Sequence, residues 1–143
     1  MRHSATHYGL NVSDMETALS FYRDLLGLEV TRELSMSDVQ GDIVGVADVE
    51  GTITFLDADG FEVELIAYDT PANDNVHTNA LGHDVGVAHL CLEVDDVWEL
   101  YEENRDDASF VEEPQMVGNG AQITYVRDPD GNYVELLEPP EEN

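Results

Sequence analysis

The hydrophobic pattern of this chain predicts a strand, a helix and several further strands in its first half. The strand is predicted over residues 5–12, and Ser13 stands at the position of a helix N-cap. Apolar side chains then recur at helical spacing until Gly27. The apolar positions of this predicted helix are Met15, Ala18, Leu19, Tyr22, Leu25 and Leu26. Three or four strands are predicted after it, at residues 28–36, 41–49, 51–57 and 61–68.

The second half repeats this order of elements. It predicts a strand over VAHLCLEV, a helix capped by Asp95 over VWELYEENR, and further strands over SFVEEP, AQITYVRD and NYVELLEP. The polar stretch between the halves has no periodic pattern and is predicted to be a linker. We therefore expect one α+β domain over residues 1–143, with a first module at 3–68, a linker at 69–84 and a second module at 85–139.

Two pairs of short segments show that the chain is an internal duplication. DADGFEVELIAY and DPDGNYVELLEP are near-copies, and in each a Glu follows a Gly after four positions, as Glu64 and Glu135. HYGLNVSD and HLCLEVDD also match, and each begins with a His, as His7 and His89. Each half therefore carries one His and one Glu at equivalent positions.

Strand alternation predicts where these four side chains point. Successive side chains of a strand face opposite sides of its sheet, and the apolar set must pack on the helix. The residues predicted to face the helices are Tyr8, Leu10, Val12, Val63, Leu65, Ala67, Leu90, Leu92, Val94, Val134 and Leu136. Both His and both Glu fall on the opposite face. Two imidazoles and two carboxylates suit zinc, nickel, cobalt, iron or manganese, with positions left for water or substrate.

The charge of the chain excludes several classes of partner. It has 32 Asp and Glu residues but only 5 Lys and Arg residues, which gives a net charge of -27. Such a surface repels nucleic acid and anionic membranes, and it is typical of proteins that work in concentrated salt. No apolar run suits a membrane span or a signal peptide, and the single Cys91 agrees with a reducing compartment. We expect a cytoplasmic protein that acts on a small molecule.

Taken together, the motifs resemble the vicinal oxygen chelate superfamily, which includes glyoxalases, bleomycin resistance proteins and extradiol dioxygenases. The resemblance covers residues 3–139, and its most specific motifs are DPDGNYVEL and a strand His followed by FYRDLLGL. It implies two tandem βαβββ modules whose mixed sheets curl around a metal cavity. It also implies a homodimer.

The resemblance implies a role for each of the four repeated residues. It makes His7, Glu64, His89 and Glu135 ligands of one divalent metal ion, a set that is most similar to glyoxalase I. The implied reaction is a lyase-type isomerisation of the hemithioacetal formed by an α-oxoaldehyde and a thiol. The proton moves through a metal-stabilised enediolate, with Glu135 as the first candidate for the base and Glu64 as the second.

Three alternative functions stay open at this point. Extradiol dioxygenases share the second-half His and Glu but bind iron without a counterpart of Glu64, and methylmalonyl-CoA epimerases typically have Gln there. A non-catalytic binding protein of the bleomycin resistance type is the third. The thiol is also open, because Asn11 stands where glutathione-using members usually have an arginine. Arg127 and Arg23 are then the candidates for binding an anionic thiol.

Overall fold

The computed structural model describes residues 1–73 and 79–142. The chain divides into two compact units, Met1–Val76 and His77–Asn143. Part of the predicted linker, residues 74–78, lies outside the described residues. The module and linker boundaries therefore stay predictions. None of the helices in the described part of the chain is long and apolar enough for a bilayer crossing.

The first unit contains a four-stranded sheet with strand order β1-β4-β3-β2. Its strands are β1 (His7–Asn11), β2 (Glu29–Ser35), β3 (Glu50–Asp57) and β4 (Glu62–Thr70). Strand β1 is parallel to β4, and the other neighbours are antiparallel. The helix between β1 and β2 is α1 (Met15–Leu19), which continues as a π-helix over Ser20–Leu25. A parallel pair joined across a helix is the arrangement expected of a βαβ crossover.

The second unit contains a sheet with strand order β5-β9-β8-β6, in which β7 also pairs with β8. Its strands are β5 (His89–Glu93), β6 (Ser109–Phe110), β7 (Gln115–Met116), β8 (Gln122–Arg127) and β9 (Tyr133–Glu138). Helix α3 (Val97–Asn104) lies between β5 and β6 in the chain. Strands β5 and β9 are parallel, as β1 and β4 are. The predicted α+β fold with two βαβββ modules is thus confirmed.

The predicted strand over residues 41–49 is wrong. This segment contributes instead to helix α2 (Asp38–Val44), which starts with a capping box in which the Ser37 backbone N donates to Gln40 Oε1 at 2.7 Å. Gly45 ends the helix in the left-handed conformation, with φ 73°. The apolar residues that suggested a strand, Ile43 and Val44, remain exposed. The capping interactions at both ends of this segment therefore favoured a helix, although the alternation of its apolar residues suggested a strand.

The N-cap of each main helix lies one residue later than predicted. Asp14 caps α1, because its Oδ2 accepts from the Thr17 backbone N at 2.9 Å and from its hydroxyl at 2.7 Å. Asp96 caps α3 by accepting from the Glu99 backbone N at 2.9 Å. An N-cap side chain must reach the backbone N–H three residues ahead, and these two aspartates meet that geometry.

The core of each unit lies on the predicted apolar faces of its strands. Val63 and Leu65 are fully buried in the first unit, as are Val134 and Leu136 in the second. Helix residues Leu19 and Tyr22 of the first unit are also buried, and α1 contacts β4. The burial alternates along β4 as the sequence predicts. The opposite face of β4 is therefore the one that carries Glu62 and Glu64.

Candidate metal centre

The first unit contains one His and one Glu close together on this less buried face. His7 of β1 and Glu64 of β4 approach to 3.9 Å between Nε2 and Oε2. The parallel pairing of these strands places Gly9 beside Glu64 and His7 beside Glu62, so the two side chains are diagonal neighbours. The imidazole is 44% exposed and the carboxylate 17%, which leaves both accessible from one side. We call this pair the first half-site.

The second unit contains the equivalent pair, which is closer. His89 Nε2 of β5 lies 3.2 Å from Glu135 Oε1 of β9. The pairing places Cys91 beside Glu135, as Gly9 lies beside Glu64. The side chains are 45% and 14% exposed, nearly the same as in the first unit. We call this pair the second half-site. The duplication visible in the sequence is therefore also a duplication of geometry.

Two further side chains hold the Glu135 carboxylate. The Tyr125 hydroxyl donates to Oε1 at 2.7 Å, and the Cys91 thiol donates to Oε2 at 3.3 Å. Burial, followed by the hydrogen bond and the charge of Glu135, raises the pKa of Tyr125 to about 12. The same causes in the same order raise the pKa of Cys91 to about 11. Both groups therefore stay protonated at neutral pH and act as donors.

The corresponding neighbours in the first half-site are Phe55 and Gly9. Phe55 pairs with Glu64 across β3 and β4, as Tyr125 pairs with Glu135 across β8 and β9. Phe55 meets the His7 ring edge-on at 6.2 Å, the counterpart of the 5.3 Å contact between His89 and Tyr125. Sequence reasoning did not identify Tyr125 or Cys91 as partners of Glu135. Cys91 lies two residues after His89, and Tyr125 lies ten residues before Glu135. These spacings become informative only when the strand register is known.

The two arginines that the sequence offers as anion-binding candidates both have partners in the structure. Arg23 pairs with its neighbour Asp24 at 2.9 Å on the surface. Arg127 Nη2 donates to the Ala80 carbonyl at 2.6 Å and to the Tyr133 hydroxyl. These contacts give both arginines structural partners, and their role in binding an anionic thiol stays a prediction.

A third arginine, Arg32, lies beside the first half-site. It pairs with Phe55 across β2 and β3, and Phe55 pairs in turn with Glu64, so the three residues form one row across the sheet. The register shift between Val30 and Arg32 sets that alignment. The Arg32 guanidinium also lies 3.3 Å from Glu62 Oε1. A β-bulge leaves no clear sequence signal, and for that reason Arg32 was missed.

The donor chemistry of the half-sites fits a divalent transition metal. Each offers an imidazole nitrogen and a carboxylate oxygen, a combination that zinc and its first-row neighbours accept. Within residues 1–73 and 79–142, no three His, Cys, Asp or Glu side chains are grouped so that they could hold a metal. Each half-site therefore supplies two donors.

The chain matches one family model and many known proteins over most of its length. Residues 4–136 match the model of the Glyoxalase/Bleomycin resistance protein/Dioxygenase superfamily. The lactoylglutathione lyase of Haemophilus influenzae is 26% identical over 134 residues, which is 92% of this chain and 90% of that protein. An uncharacterised Bacillus subtilis protein, YwbC, is 26% identical over 137 residues, with 92% and 94% covered.

The fold is shared with solved structures of the same family. A glyoxalase family protein from Bacillus cereus superposes with a TM-score of 0.85 at 21% identity, covering 99% of this chain and 95% of that one. At this identity the likeness concerns the fold alone. The family model, however, spans nearly the whole chain and both half-sites. The chain therefore belongs to the Glyoxalase/Bleomycin resistance protein/Dioxygenase superfamily.

Proposed function

We propose that this protein is a metal-dependent lyase of the glyoxalase I type. Its substrate would be the hemithioacetal of an α-oxoaldehyde and a thiol. The observation that carries the proposal is the presence of a complete His–Glu pair in both units, at 3.9 Å and 3.2 Å. The similarity to a lactoylglutathione lyase over 92% of the chain supports it.

We further propose that His7, Glu64, His89 and Glu135 hold one divalent ion, with zinc, nickel, cobalt, iron and manganese as candidates. When bound, such an ion would supply Lewis acidity to two neighbouring oxygens of the substrate. Metal ligation in general requires neutral imidazole and ionised carboxylate groups. We expect a homodimer that acts in the cytoplasm.

The carboxylates Glu64 and Glu135 would also move the proton. The reaction takes a proton from the carbon that bears the thiol and returns one to the neighbouring carbon, while the hydroxyl proton passes to the other oxygen. No external oxidant or reductant is needed, because the substrate and the thioester product are isomers. A carboxylate within reach of both carbons is a sufficient base and acid for this transfer.

Metal analysis and activity assays on the full chain test this proposal. Protein purified without chelator should contain about one ion per chain, and chelation should abolish hemithioacetal conversion until metal is restored. His89→Ala should lose both metal and activity. Glu93→Gln is the matched control, because Glu93 is exposed on the same strand as His89. No conversion with any of several thiols, whatever the metal, would reject the proposal.

The same preparations separate the alternative functions. Oxygen uptake with a catechol in the presence of ferrous iron would identify a dioxygenase. Epimerisation of a CoA ester would identify an epimerase. Ligand binding by protein that neither retains nor needs metal would identify a binding protein. Each outcome would replace the lyase proposal.

A further inference from the structure

The two half-sites differ in the residue that precedes their His. Thr6 stands before His7, whereas Ala88 stands before His89 at the matching position of the internal repeat. The Thr6 hydroxyl oxygen lies 2.9 Å from His7 Nδ1, which is hydrogen-bond distance. The methyl side chain of Ala88 has no polar atom and forms no equivalent bond. The first half-site therefore has a contact to its imidazole that the repeat does not reproduce in the second.

This contact leaves the other ring nitrogen of His7 for a further partner. Nε2 is the nitrogen that approaches Glu64, at 3.9 Å from Oε2. In a neutral imidazole one nitrogen carries the proton and the other has the lone pair. The hydrogen bond made by one nitrogen determines which of the two is protonated. When the Thr6 oxygen accepts from Nδ1–H, Nε2 has the free lone pair that a metal ligand needs.

The bond to Thr6 also defines the orientation of the ring. A half-turn about the Cβ–Cγ bond of His7 would replace Nδ1 by Cδ2 and Nε2 by Cε1. It would therefore place a carbon at the Thr6 hydroxyl and break the hydrogen bond. Phe55 contacts the same ring edge-on, with 6.2 Å between the centroids, and this contact is similar in both orientations. Of these two contacts, only the hydroxyl distinguishes the two orientations.

Thr6 is itself held by the sheet, although the residue is exposed. Its carbonyl accepts a hydrogen bond from the Glu62 backbone N at 3.2 Å, which continues the pairing of β1 with β4 by one residue. A β-branched side chain such as that of threonine has few favourable χ1 rotamers. The backbone bond and the restricted rotamer together define where the hydroxyl stands relative to the His7 ring.

Resting on the proposed metal-dependent function, we infer that Thr6 is a positioning residue, which orients His7 so that Nε2 is presented to the metal ion. Thr6 contributes no ligand and acts only through the imidazole. Loss of a hydrogen bond to the second nitrogen of a metal-binding His typically weakens metal affinity by about 10- to 100-fold. Because Thr6 is exposed, water competes for this bond, and we expect an effect near the lower end of that range.

Zinc affinity, measured by competition with a chromophoric chelator, tests this role. Thr6→Val replaces the hydroxyl by a methyl group that also keeps water from Nδ1, and it should weaken zinc binding by about tenfold. Thr6→Ser restores the hydroxyl and should stay within about twofold of the wild type. At saturating zinc, Thr6→Val should change kcat by less than about twofold, because no interaction with the substrate is lost. Unchanged affinity in Thr6→Val, or equal losses in Thr6→Val and Thr6→Ser, would overturn the inference.

Two matched variants separate the hydroxyl from the other effects of valine. Ala88→Val adds the same side chain at the equivalent position of the second half without removing a hydroxyl. Thr17→Val removes a hydroxyl that donates to Asp14 at 2.7 Å on helix α1. Both variants should keep zinc affinity within about twofold of the wild type. A loss in either one as large as that in Thr6→Val would assign the effect to bulk or to general destabilisation, against the inference.

The hydrogen bond can also be observed without metal. In proton–nitrogen correlation spectra of metal-free protein, Thr6→Val should shift the Nδ1 resonance of His7, Thr6→Ser should retain it, and neither should move the ring resonances of His89. An unshifted Nδ1 resonance in Thr6→Val would contradict the inference.

The inference and the lyase proposal can fail separately. If wild-type protein binds zinc but converts no hemithioacetal, the lyase proposal fails, and the zinc affinities still decide the role of Thr6. If wild-type protein is active and Thr6→Val keeps its zinc affinity, the inference fails alone. If wild-type protein binds no zinc, both fail.

Discussion

The guanidinium of Arg32 lies 3.8 Å from the centroid of the Phe55 ring. Phe55 in turn contacts His7 edge-on, so the cation stands one residue away from the first half-site. The chain has only 5 basic residues and a net charge of -27, so few other side chains could supply a positive charge at this place. The stacked ring also restricts the directions that the guanidinium can take.

We expect Arg32→Ala to impair binding of anionic thiols specifically. A guanidinium near the site would bind a thiol carboxylate in exchange for its 3.3 Å contact with Glu62, so KM for a glutathione hemithioacetal should rise about tenfold with little change in kcat. The hemithioacetal of neutral 2-mercaptoethanol should be affected much less. Arg105→Ala is the control, because the ion pair of Arg105 with Glu102, at 3.8 Å, is exposed. An equal loss with both thiols would show that Arg32 does not recognise the anion.

The Cys91 thiol should react slowly with alkylating agents. Partial desolvation beside Glu135, then the hydrogen bond to it and its charge, raises the pKa of Cys91 from 9.0 to about 11, although the residue as a whole is exposed. At pH 8 the thiolate fraction, and with it the iodoacetamide rate, should be on the order of a hundredfold below that of an ordinary thiol. Glu135→Gln removes the charge and should increase the rate in metal-free protein. An unchanged rate would mean that burial alone controls the pKa.

The same pKa shift has a consequence for stability at high pH. The neutral thiol is favoured in the folded chain, so its stabilising contribution is complete below pH 9, the ordinary thiol value, and is lost as the pH rises towards 11. Urea unfolding of metal-free protein between these values should show the decline. Cys91→Ala should make that decline shallower, whereas an identical slope would assign it to other groups.

Asp128 should contribute more to stability than its counterpart in the first unit. Its buried carboxylate accepts from the backbone N of Asp130 at 3.0 Å and of Asn132 at 2.8 Å, and thereby holds the turn before β9. Asp128→Ala should lower the free energy of unfolding by about 1–3 kcal/mol, because both N–H groups lose their acceptor. Asp57 is the exposed counterpart of Asp128 in the first unit. Asp57→Ala should change the free energy of unfolding by less than about 0.5 kcal/mol. Urea titration measures both, and equal losses would contradict this view of the turn.

Salt should stabilise the chain. With 32 acidic residues and 5 basic ones, repulsion between carboxylates opposes the folded state, and added ions screen it. We expect the thermal unfolding temperature of metal-free protein to rise between low salt and about 1 M NaCl, where the screening length falls to about 3 Å. Potassium chloride should act similarly if screening is the cause. A flat response would show that the acidic groups are too dispersed to matter.

The sequence by itself determined the duplication, the α+β class and the face of each strand that carries His and Glu. Period-two alternation makes these predictable, because Val63 and Leu65 must be buried if Glu64 between them is not. Helix α2 was not predicted, because its start depends on a capping box at Ser37. The apolar residues after that cap have the spacing of a strand.

Only the tertiary structure decided which residues stand beside each carboxylate. Tyr125 and Cys91 meet Glu135 from two different strands, and Arg32 reaches the row of Phe55 and Glu64 through a register shift. Such neighbours depend on the pairing of strands far apart in the sequence, and a shift of one residue would direct every side chain to the other face. A repeat in the sequence can therefore show that two carboxylates are homologous, whereas their different surroundings depend on contacts across the sheet.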